Sequence, residues 1–367
     1  MYLLIAFCVA LIVQFYFYLF LFRKFTTFKK NNLPVFTPAV SVVVCARNEA
    51  ENLKRLLPAL VHQDYPEFEI VLVDDGSTDQ TFDIVKEFES SLAMGSPALV
   101  VTRLREEESK GKKNALTHGI NRSRFEYLLL TDADCVPAGS QWIREMIRSF
   151  ESSTELVLGY GAYHKISGSV LNQLIRFETL LTALQYFSYA LDGKAYMGVG
   201  RNLAYKRETF LMASGFSGLE QVKSGDDDLL VSKIATADNV SICVSPGSFT
   251  SSVPSADFRS WIRQKRRHIT TAHFYRPATK ITLGIFYLSQ LMFYTLGFAL
   301  LILGTKPVLV TSLIATRLVL WYTAIVPAAR RLNEKDLIPF GPLYEISIIF
   351  IQLYIFLRNK MTPPKYW

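Results

Sequence analysis

The sequence predicts an α/β fold, with a mostly parallel sheet flanked by helices and further apolar helices at both ends of the chain. Two observations predict it. Between about residues 39 and 131, short apolar runs alternate with segments of helical spacing, the pattern of a parallel sheet covered by helices. Long apolar segments lie on either side of this region, and half of the 367 residues are hydrophobic, with a mean hydropathy of +0.20.

The individual elements follow one another in a regular order. An apolar run such as Tyr127 to Leu130 is typical of a strand buried on both faces. Four leucines spaced three or four residues apart lie on one face of the first predicted helix. We predict strands at Val40–Cys45, Phe68–Val73, Leu99–Arg103 and Tyr127–Thr131, and helices at Glu51–His62, Gln80–Phe88 and Asn114–Ile120.

The segment Val170–Leu191 has a broad apolar face and ends in several aromatic residues. Two interpretations stay open for it. It is either a core helix of the main domain or a helix that lies against the membrane, near a membrane-bound acceptor.

The apolar segment Tyr2–Phe22 is long enough to span a bilayer and is interrupted only by Gln14. It lacks a basic n-region and an A-x-A-like cleavage site, which favours an uncleaved anchor over a signal peptide. We predict an anchor over residues 1–24, a linker over 25–38, a main domain with interfacial helices over 39–275, and a C-terminal membrane region over 276–367. That last region contains two to three spans among Ile281–Leu303, Val308–Val326 and Leu343–Leu357, the last being short for a full span.

The positive charge of the chain lies next to its apolar segments. Arg23, Lys24, Lys29 and Lys30 follow the first segment, and other basic residues precede the second and follow the third. The positive-inside rule therefore places the main domain in the cytoplasm and the chain in the cytoplasmic membrane as a multi-pass protein. The net charge of +8 indicates an anionic membrane surface as partner, and no nucleic acid. The four cysteines show no metal-ligand spacing, so neither a zinc site nor a disulfide framework is expected.

Asp132 and Asp134 stand one residue apart, directly after the strand predicted at Tyr127–Thr131. Alternate side chains of an extended segment point the same way, so both carboxylates can face one point beyond the carboxyl end of the strand, where open α/β sheets bind ligands. Hard oxygen ligands suit Mg²⁺ or Mn²⁺ shared with the phosphates of a substrate. The alternative is a solvated turn.

Seven sequence segments resemble, in order and spacing, the family 2 glycosyltransferases of the GT-A fold. They are SVVVCARNEAENL (41–53), IVLVDDGSTDQT (70–81), KGKKNAL (110–116), LLLTDADC (128–135), GVGRNLAYKRETF (198–210), SGDDDLL (224–230) and WIRQKRRH (261–268). The overall arrangement is similar to the membrane-bound polysaccharide synthases of that family, such as hyaluronan and poly-N-acetylglucosamine synthases. The resemblance implies a hexosyltransferase that moves a sugar, with inversion, from a UDP- or GDP-sugar to a lipid-linked or glycan acceptor in cell-envelope or exopolysaccharide synthesis.

The resemblance also implies a donor site. Members of the family line the nucleotide pocket with residues that correspond to Arg47, Asn48 and Glu49. Asp74 and Asp75 end the second strand, where a carboxylate can accept a hydrogen bond from a base or ribose, and the resemblance favours Asp75 for the base. The diphosphate is neutralised by Lys112 or Lys113, of which the Gly-Lys pairing favours Lys112, and by a metal on Asp132 and Asp134.

The attacking hydroxyl must lose a proton to a carboxylate, and SGDDDLL contains the candidates. The family segment reads Glu-Asp-x-x-Leu. Aligning its leucine with Leu230 makes Asp227 the base and Asp226 the supporting acid, whereas alignment with Leu229 moves the base to Asp226. The alternative is an acidic loop with an aspartate capping a helix.

The segment around Gln264, Arg267 and His268 resembles the Gln-x-x-Arg-Trp signature that contacts the acceptor or the diphosphate in polymerising synthases. His268 replaces the tryptophan, which makes chain polymerisation less secure than glycosyl transfer itself.

Two other functions remain as alternatives. One is transfer of a sugar to polyprenyl phosphate, whose acceptor is already ionised and needs no base. The other is a non-catalytic nucleotide-sugar-binding subunit of a synthesis or export complex.

Arg317 is expected to be the only ionisable residue well inside a span, without a paired charge.

Overall fold

A seven-stranded sheet forms the centre of one of the two units into which the computed structural model divides. The structure describes residues 1–29, 36–105, 107–219, 222 and 224–362. The sheet unit comprises Asn31–His164 and Gly193–Pro254, and the other unit, here called the apolar-helix unit, comprises Met1–Lys30, Lys165–Asp192 and Ser255–Trp367. Lys30 and positions 31–35 of the predicted linker lie outside the described residues.

The strands are β1 (Val40–Ala46), β2 (Phe68–Asp74), β3 (Ala98–Arg103), β4 (Tyr127–Asp132), β5 (Cys135–Pro137), β6 (Leu156–Leu158), β7 (Gly161–Tyr163), β8 (Leu203–Lys206), β9 (Val240–Ile242) and β10 (Thr250–Ser252). The large sheet has the order β3-β2-β1-β4-β8-β6-β9, and β5-β10-β7 form a small sheet. Strands β3, β2, β1 and β4 are parallel, β8 runs antiparallel to both of its neighbours, and β9 is parallel to β6.

The helices are α1 (Tyr2–Tyr16), α2 (Phe22–Thr26), α3 (Ala50–Val61), α4 (Thr81–Ser91), α5 (Lys112–Arg122), α6 (Trp142–Ile147), α7 (Val170–Leu191), α8 (Arg207–Met212), α9 (Asp228–Ile234), α10 (Phe258–Ile269), α11 (Pro277–Ile302), α12 (Pro307–Arg331) and α13 (Gly341–Met361). Short 3₁₀ turns lie at Pro246–Ser248, Thr270–Phe274 and Lys335–Leu337.

The predicted mostly parallel sheet with flanking helices is confirmed. Strand β2 is buried along its whole length and β1 along nearly all of it, because parallel strands covered on both faces need apolar side chains on both. The leucine face of α3 and the apolar residues of α6 pack into the same core as β1, β2 and β4. Strands β5 to β10 were not predicted, since three or four residues carry almost no periodic signal.

The register of the central strands sets the position of their carboxyl ends. In β1, Cys45 lies opposite Asp132 of β4, and Ala46 lies opposite Asp74 of β2. Asp74 and Asp132 therefore leave the sheet at the same edge, on either side of β1.

Four helices in the described part of the chain are long and apolar enough to cross a membrane. They are Tyr2–Thr26, Pro277–Ile302, Pro307–Arg331 and Gly341–Met361. A π-helical segment, Phe17–Leu21, joins α1 to α2 within the first. The last helix has 21 residues and is therefore long enough for a span. It is longer than predicted because the helix extends on both sides of the apolar run Leu343–Leu357.

The prediction that Arg317 has no paired charge is wrong. Its guanidinium forms two hydrogen bonds with Glu345 of α13, at 2.6 and 2.8 Å, and both side chains are buried. Gln14 of α1 accepts a further hydrogen bond from Arg317 at 2.8 Å. Glu345 lies only four residues from the start of its helix, which is why the sequence did not mark it as deep within a span.

Helix α7 belongs to the apolar-helix unit and packs against α2, α12 and α13. Arg176 of α7 forms a buried ion pair with Glu334 and a second ion pair with the exposed Asp336, and Phe187 stacks on Phe25. These contacts favour the interpretation that places α7 with the membrane helices. The bounds predicted for the main domain, 39–275, stay a prediction, since compact units and domains need not coincide.

Candidate active site

Four acidic and basic side chains of the sheet unit meet at the carboxyl edge of the sheet. Asp132 is the last residue of β4, Lys112 is the first residue of α5, and Asp226 and Asp227 precede α9. Together with Gly200 they line a pocket whose empty space, counted together with the open solvent at its mouth, is about 270 Å³. The structure thus brings together residues from four separate sequence motifs.

Lys112 connects the two sides of this pocket. Its Nζ lies 2.7 Å from Asp132 Oδ1 and 2.7 Å from Asp226 Oδ2. Burial alone would lower the pKa of Lys112, but the carboxylates of Asp132, Asp226 and Asp227 outweigh burial and hold the pKa well above its ordinary value. Lys112 is therefore a fixed positive charge at the centre of the site.

Lys113, the alternative considered for the diphosphate, faces elsewhere. Its Nζ donates hydrogen bonds to the carbonyl oxygens of Leu219, at 2.9 Å, and Ser224, at 2.7 Å, as well as to Val222. Lys113 thus holds the loop that precedes Asp226, and only Lys112 lines the pocket.

Asp226 and Asp227 differ in their surroundings. Burial would raise the pKa of Asp226, but Lys112 outweighs it and keeps that pKa below its ordinary value. Burial and the neighbouring Asp226 raise the pKa of Asp227 to about 7. Asp227 accepts hydrogen bonds from the backbone N–H of Gly200, at 2.7 Å, and of Asp228, at 2.8 Å.

The helix-cap alternative for this segment is also realised, because Asp227 is the N-cap residue of α9. Capping and a place in the pocket are compatible here. The cap fixes the carboxylate at the pocket wall, and its raised pKa gives it the proton affinity that a base near neutral pH needs.

Asp132, Asp134 and Cys135 form the candidate metal site, with one ligand atom of each within 4.8 Å of the others. Burial raises the pKa of Asp134, and the nearby Asp132 raises it further. Burial, then Asp132, raise the pKa of the Cys135 thiol, which donates to Asp134 Oδ1 at 3.2 Å. A divalent cation that prefers oxygen fits the two carboxylates, with the thiol as a hydrogen-bond donor to Asp134.

Asp74 and Asp75 have separate roles. Asp74 is fully buried, accepts from the backbone N–H of Ser77 at 3.0 Å and lies 3.3 Å from Arg103 Nε, so it holds the turn after β2. Asp75 is 5% exposed, and its Oδ1 has no hydrogen-bond partner among the described residues. An unpaired buried carboxylate oxygen is costly, which points to a ligand donor at this position.

Residues 47 to 49 form the loop between β1 and α3. Asn48 adopts a positive φ of 56° and is fastened to the β2–α4 loop through Ser77 and Thr78, at 2.9 Å each. Arg47 is exposed and donates to Ser109 Oγ at 3.3 Å. Burial raises the pKa of Glu49, and the nearby Asp134 adds to it. The two loops beside Asp75 are thus tied together at the sheet edge.

Gln264, Arg267 and His268 lie on α10, which belongs to the apolar-helix unit. Gln264 Oε1 accepts from Ser255 Oγ at 3.4 Å, and the carbonyl oxygen of His268 accepts from Thr271 Oγ1 at 2.8 Å. Their assignment to the acceptor stays a prediction.

Sequence reasoning missed Gly200 and Arg201, although GVGRN was among the matching segments. A Cβ at Gly200 would lie 3.3 Å from Lys112 Nζ and 3.4 Å from Asp226 Oδ2, so a side chain here would crowd both charged groups of the pocket. Arg201 stacks its guanidinium 4.4 Å from the ring of Tyr163 and donates to Ser252 Oγ at 3.0 Å. The pair of glycines before an arginine was the available signal.

Comparison with known proteins identifies one segment of the chain. Residues 41–211 match the model of the glycosyl transferase family 2. This segment is a family 2 glycosyltransferase domain. This confirms the resemblance found in its motifs.

Two curated relatives share part of this glycosyltransferase domain. A 97-residue segment is 35% identical to the poly-beta-1,6-N-acetyl-D-glucosamine synthase of Staphylococcus epidermidis and covers 26% of this chain and 22% of that protein. A 118-residue segment is 33% identical to the glycosyltransferase AglE of Haloferax volcanii and covers 32% of this chain and 36% of that protein. This chain thus spans well under half the length of these relatives.

The fold has a counterpart among solved structures. The mannosyltransferase PcManGT from Pyrobaculum calidifontis, determined in complex with GDP-Man and Mn²⁺, has a TM-score of 0.57 to this chain at 20% identity, covering 93% of this chain and 99% of that one. The similarity supports the GT-A fold, which is confirmed.

Proposed function

We propose that the protein is an inverting membrane glycosyltransferase that moves a sugar from a nucleoside diphosphate sugar to a membrane-associated acceptor in cell-envelope or exopolysaccharide synthesis. The observation that carries the proposal is the arrangement of charge in one pocket. Lys112 separates Asp132, on the metal side, from Asp226 and Asp227. Glycosyl transfer needs this separation, because one group must leave with negative charge while another loses a proton.

At the acceptor side, Asp227 is the proposed base. The oxygen of the acceptor hydroxyl forms a bond to the anomeric carbon while the bond from that carbon to the phosphate oxygen breaks, and the hydroxyl proton passes to Asp227. A single attack of this kind inverts the anomeric carbon. Asp226 is held ionised by Lys112, and its negative charge keeps the proton affinity of Asp227 high.

At the donor side, Asp132 and Asp134 are the proposed ligands of Mg²⁺ or Mn²⁺. Such a cation supplies charge neutralisation for the departing nucleoside diphosphate. Lys112 adds a second positive charge beside Asp132. Asp75 presents an unpaired oxygen that suits an N–H of uracil or guanine, and the mannosyltransferase PcManGT, of similar fold, binds GDP-Man and Mn²⁺.

The apolar helices support the membrane part of the proposal. Arg23 and Lys24 end the first helix, Arg330 and Arg331 end α12, and α10 carries a basic face before α11. By the positive-inside rule, these charges support a glycosyltransferase domain in the cytoplasm and a protein held in the inner membrane. The proposed acceptor site on α10, at Gln264, Arg267 and His268, rests on the resemblance of this segment to the Gln-x-x-Arg-Trp signature.

The test uses purified full-length protein with Mn²⁺, a lipid extract as acceptor and a panel of UDP- and GDP-sugars. Release of nucleoside diphosphate and the mass of the lipid product are measured together. We expect one donor to react, and we expect Asp227→Asn to lower kcat by about a hundredfold or more. Asp83→Asn is the matched control, since Asp83 is exposed on α4 of the same unit.

Each alternative has its own outcome in this assay. Full activity of Asp227→Asn with added polyprenyl phosphate would replace the general-base mechanism by transfer to an ionised acceptor. Donor binding without turnover for every sugar and acceptor would favour a non-catalytic subunit. Activity that survives removal of all divalent metal would refute the role given to Asp132 and Asp134.

A further inference from the structure

A second pocket lies within the apolar-helix unit, and none of its described lining residues belongs to the candidate active site. Its empty space, counted together with the open solvent at its mouth, is about 500 Å³, and its walls come from the first apolar helix and from α7, α11, α12 and α13. We call it the headgroup pocket.

The polar lining of the headgroup pocket is unusual for a helix bundle of this apolarity. It includes two carboxylates and three amides, contributed by Glu178, Gln185, Gln290, Glu345 and Gln352. Polar side chains within membrane helices are costly and mark functional sites unless they are paired. The pairing of each group therefore decides what the pocket can bind.

The carboxylates are already satisfied. Glu345 accepts hydrogen bonds from Arg317, from Gln290 at 3.0 Å and from Tyr18 at 3.1 Å. Glu178 is paired with Lys265 and accepts from Thr182. These groups form a fixed wall of hydrogen-bond acceptors.

The amides of Gln185 and Gln352 are different. Both line the pocket, and neither side chain forms a hydrogen bond within the described part of the chain. Each amide offers two N–H donors and one carbonyl acceptor. They stand on α7 and α13, two helices that pack against each other.

The charges around the headgroup pocket select against anions. Arg317 and Lys265 both bind carboxylates of the pocket, but neither is among the described residues that line it. Because these two cations already neutralise both carboxylates, a phosphate in this space would bring a negative charge that none of the described lining residues can pair, which is unfavourable in a low-dielectric surrounding. A neutral hydroxylated group meets acceptors for its O–H groups and donors for its oxygens.

We propose that the headgroup pocket binds a neutral, hydroxyl-rich group, a sugar ring or a polyol, through the free amides of Gln185 and Gln352. Apolar side chains such as Phe286 and Ile348 complete the lining and suit the carbon face of a sugar or the first methylenes of an attached lipid. The group comes from a membrane glycolipid or from a free sugar. This inference is independent of the proposed transfer reaction.

Binding is tested on the full-length protein in phosphatidylcholine nanodiscs without any nucleotide sugar. Native mass spectrometry counts the retained molecules of monoglucosyl diacylglycerol, phosphatidic acid and diacylglycerol with identical acyl chains. We expect the glucosyl lipid to bind about tenfold better than the other two, or more. Displacement by free glucose would identify a soluble sugar as sufficient, and resistance to glucose would identify the lipid-linked form. Phosphatidic acid binding equally well or better would overturn the proposal.

Variants test the residues that carry the inference. Gln185→Leu and Gln352→Leu should each weaken binding of the glucosyl lipid about five- to tenfold, as expected for the loss of one or two hydrogen bonds. Ser347→Ala is the control on α13, since its hydroxyl donates only to its own helix at Leu343. Gln352→Lys should shift the preference to phosphatidic acid.

Unchanged binding in both leucine variants would refute the assignment of the amides. Thermal unfolding of each variant in the same nanodiscs separates lost binding from lost folding. Asp227→Asn should bind the glucosyl lipid as wild type does, so that a failure of the catalytic proposal and a failure of this one give different results.

Discussion

Replacement of Asp227 by asparagine should slow transfer by about a hundredfold or more and at the same time make the protein's stability less sensitive to pH. Burial and Asp226 raise the pKa of Asp227 from 3.8 to about 7. Between these two values the folded protein holds a proton that the unfolded chain has released. Stability therefore falls as pH rises through this interval, because the native state binds more protons than the unfolded state.

The magnitude follows from the same two pKa values. From about pH 5.5 to about pH 8.5 the native carboxyl loses its proton, whereas the unfolded carboxyl is ionised throughout. Integrating the difference gives a loss of about 2 kcal/mol in the free energy of unfolding of the wild-type protein. The asparagine side chain of the variant cannot titrate, so the variant escapes this loss. Its altered hydrogen bonds to Gly200 and Asp228 change stability equally at both pH values and cancel in the comparison.

The assay is thermal unfolding of wild type, Asp227→Asn and the exposed control Asp83→Asn in detergent at the same two pH values. A change of about 2 kcal/mol corresponds to about 4–8 °C for a unit of this size. We expect the melting temperature of Asp227→Asn minus that of wild type to increase by this amount from the lower to the higher pH. The same difference for Asp83→Asn should not change. Parallel behaviour of wild type and Asp227→Asn would refute the raised pKa, and with it the poised base.

Three further predictions concern the other charged groups. Lys112→Met should lower the free energy of unfolding by about 1–3 kcal/mol at pH 8, a range that allows for the partial exposure of Lys112. The loss should be smaller at pH 5, because the carboxylates of Asp132 and Asp226 can take up protons there. Denaturant unfolding at both pH values measures the loss, and an equal loss at both would contradict the prediction. Asp75→Asn should raise KM for the donor about tenfold or more with little change in kcat, because its charge-assisted hydrogen bond stabilises the bound donor and the transition state alike. Steady-state kinetics measure both constants, and a loss confined to kcat would exclude base recognition by Asp75. Arg317→Leu should destabilise the apolar-helix unit by about 3–5 kcal/mol, because it leaves Glu345 unpaired. A double variant that also carries Glu345→Leu should recover much of the lost stability. If the losses of the two single variants simply add in thermal unfolding, the ion pair is not the cause.

The sequence predicted the parts of the fold that depend on local pattern. Strands β1 and β2 read as uninterrupted apolar runs because both of their faces are covered. The sequence placed Asp132 and Asp74 at the carboxyl ends of two predicted strands, and the register across β1 shows that these two ends lie at the same edge of the sheet.

Other features depend on distant parts of the chain and left no local signal. The choice between Lys112 and Lys113 is fixed by the direction in which the first turn of α5 points, and one of the two lysines binds the 219–224 loop instead. The pairing of Arg317 with Glu345 joins helices α12 and α13, and a sequence scan of one span at a time does not reveal it. Asp226 and Asp227 are chemically identical in the sequence and differ only through Lys112 and Gly200.

The discontinuous make-up of the apolar-helix unit has a consequence for biosynthesis. Arg176 of α7 is synthesised 158 residues before its partner Glu334, and both side chains are buried in the finished protein. During translation α7 therefore emerges as an apolar helix whose Arg176 does not yet have its ion-pair partner. The helix cannot complete its packing until α12 has left the ribosome. A nascent chain stalled before Glu334 should expose α7 to proteases and chaperones, whereas the finished chain, which supplies both Glu334 and α13, should protect it.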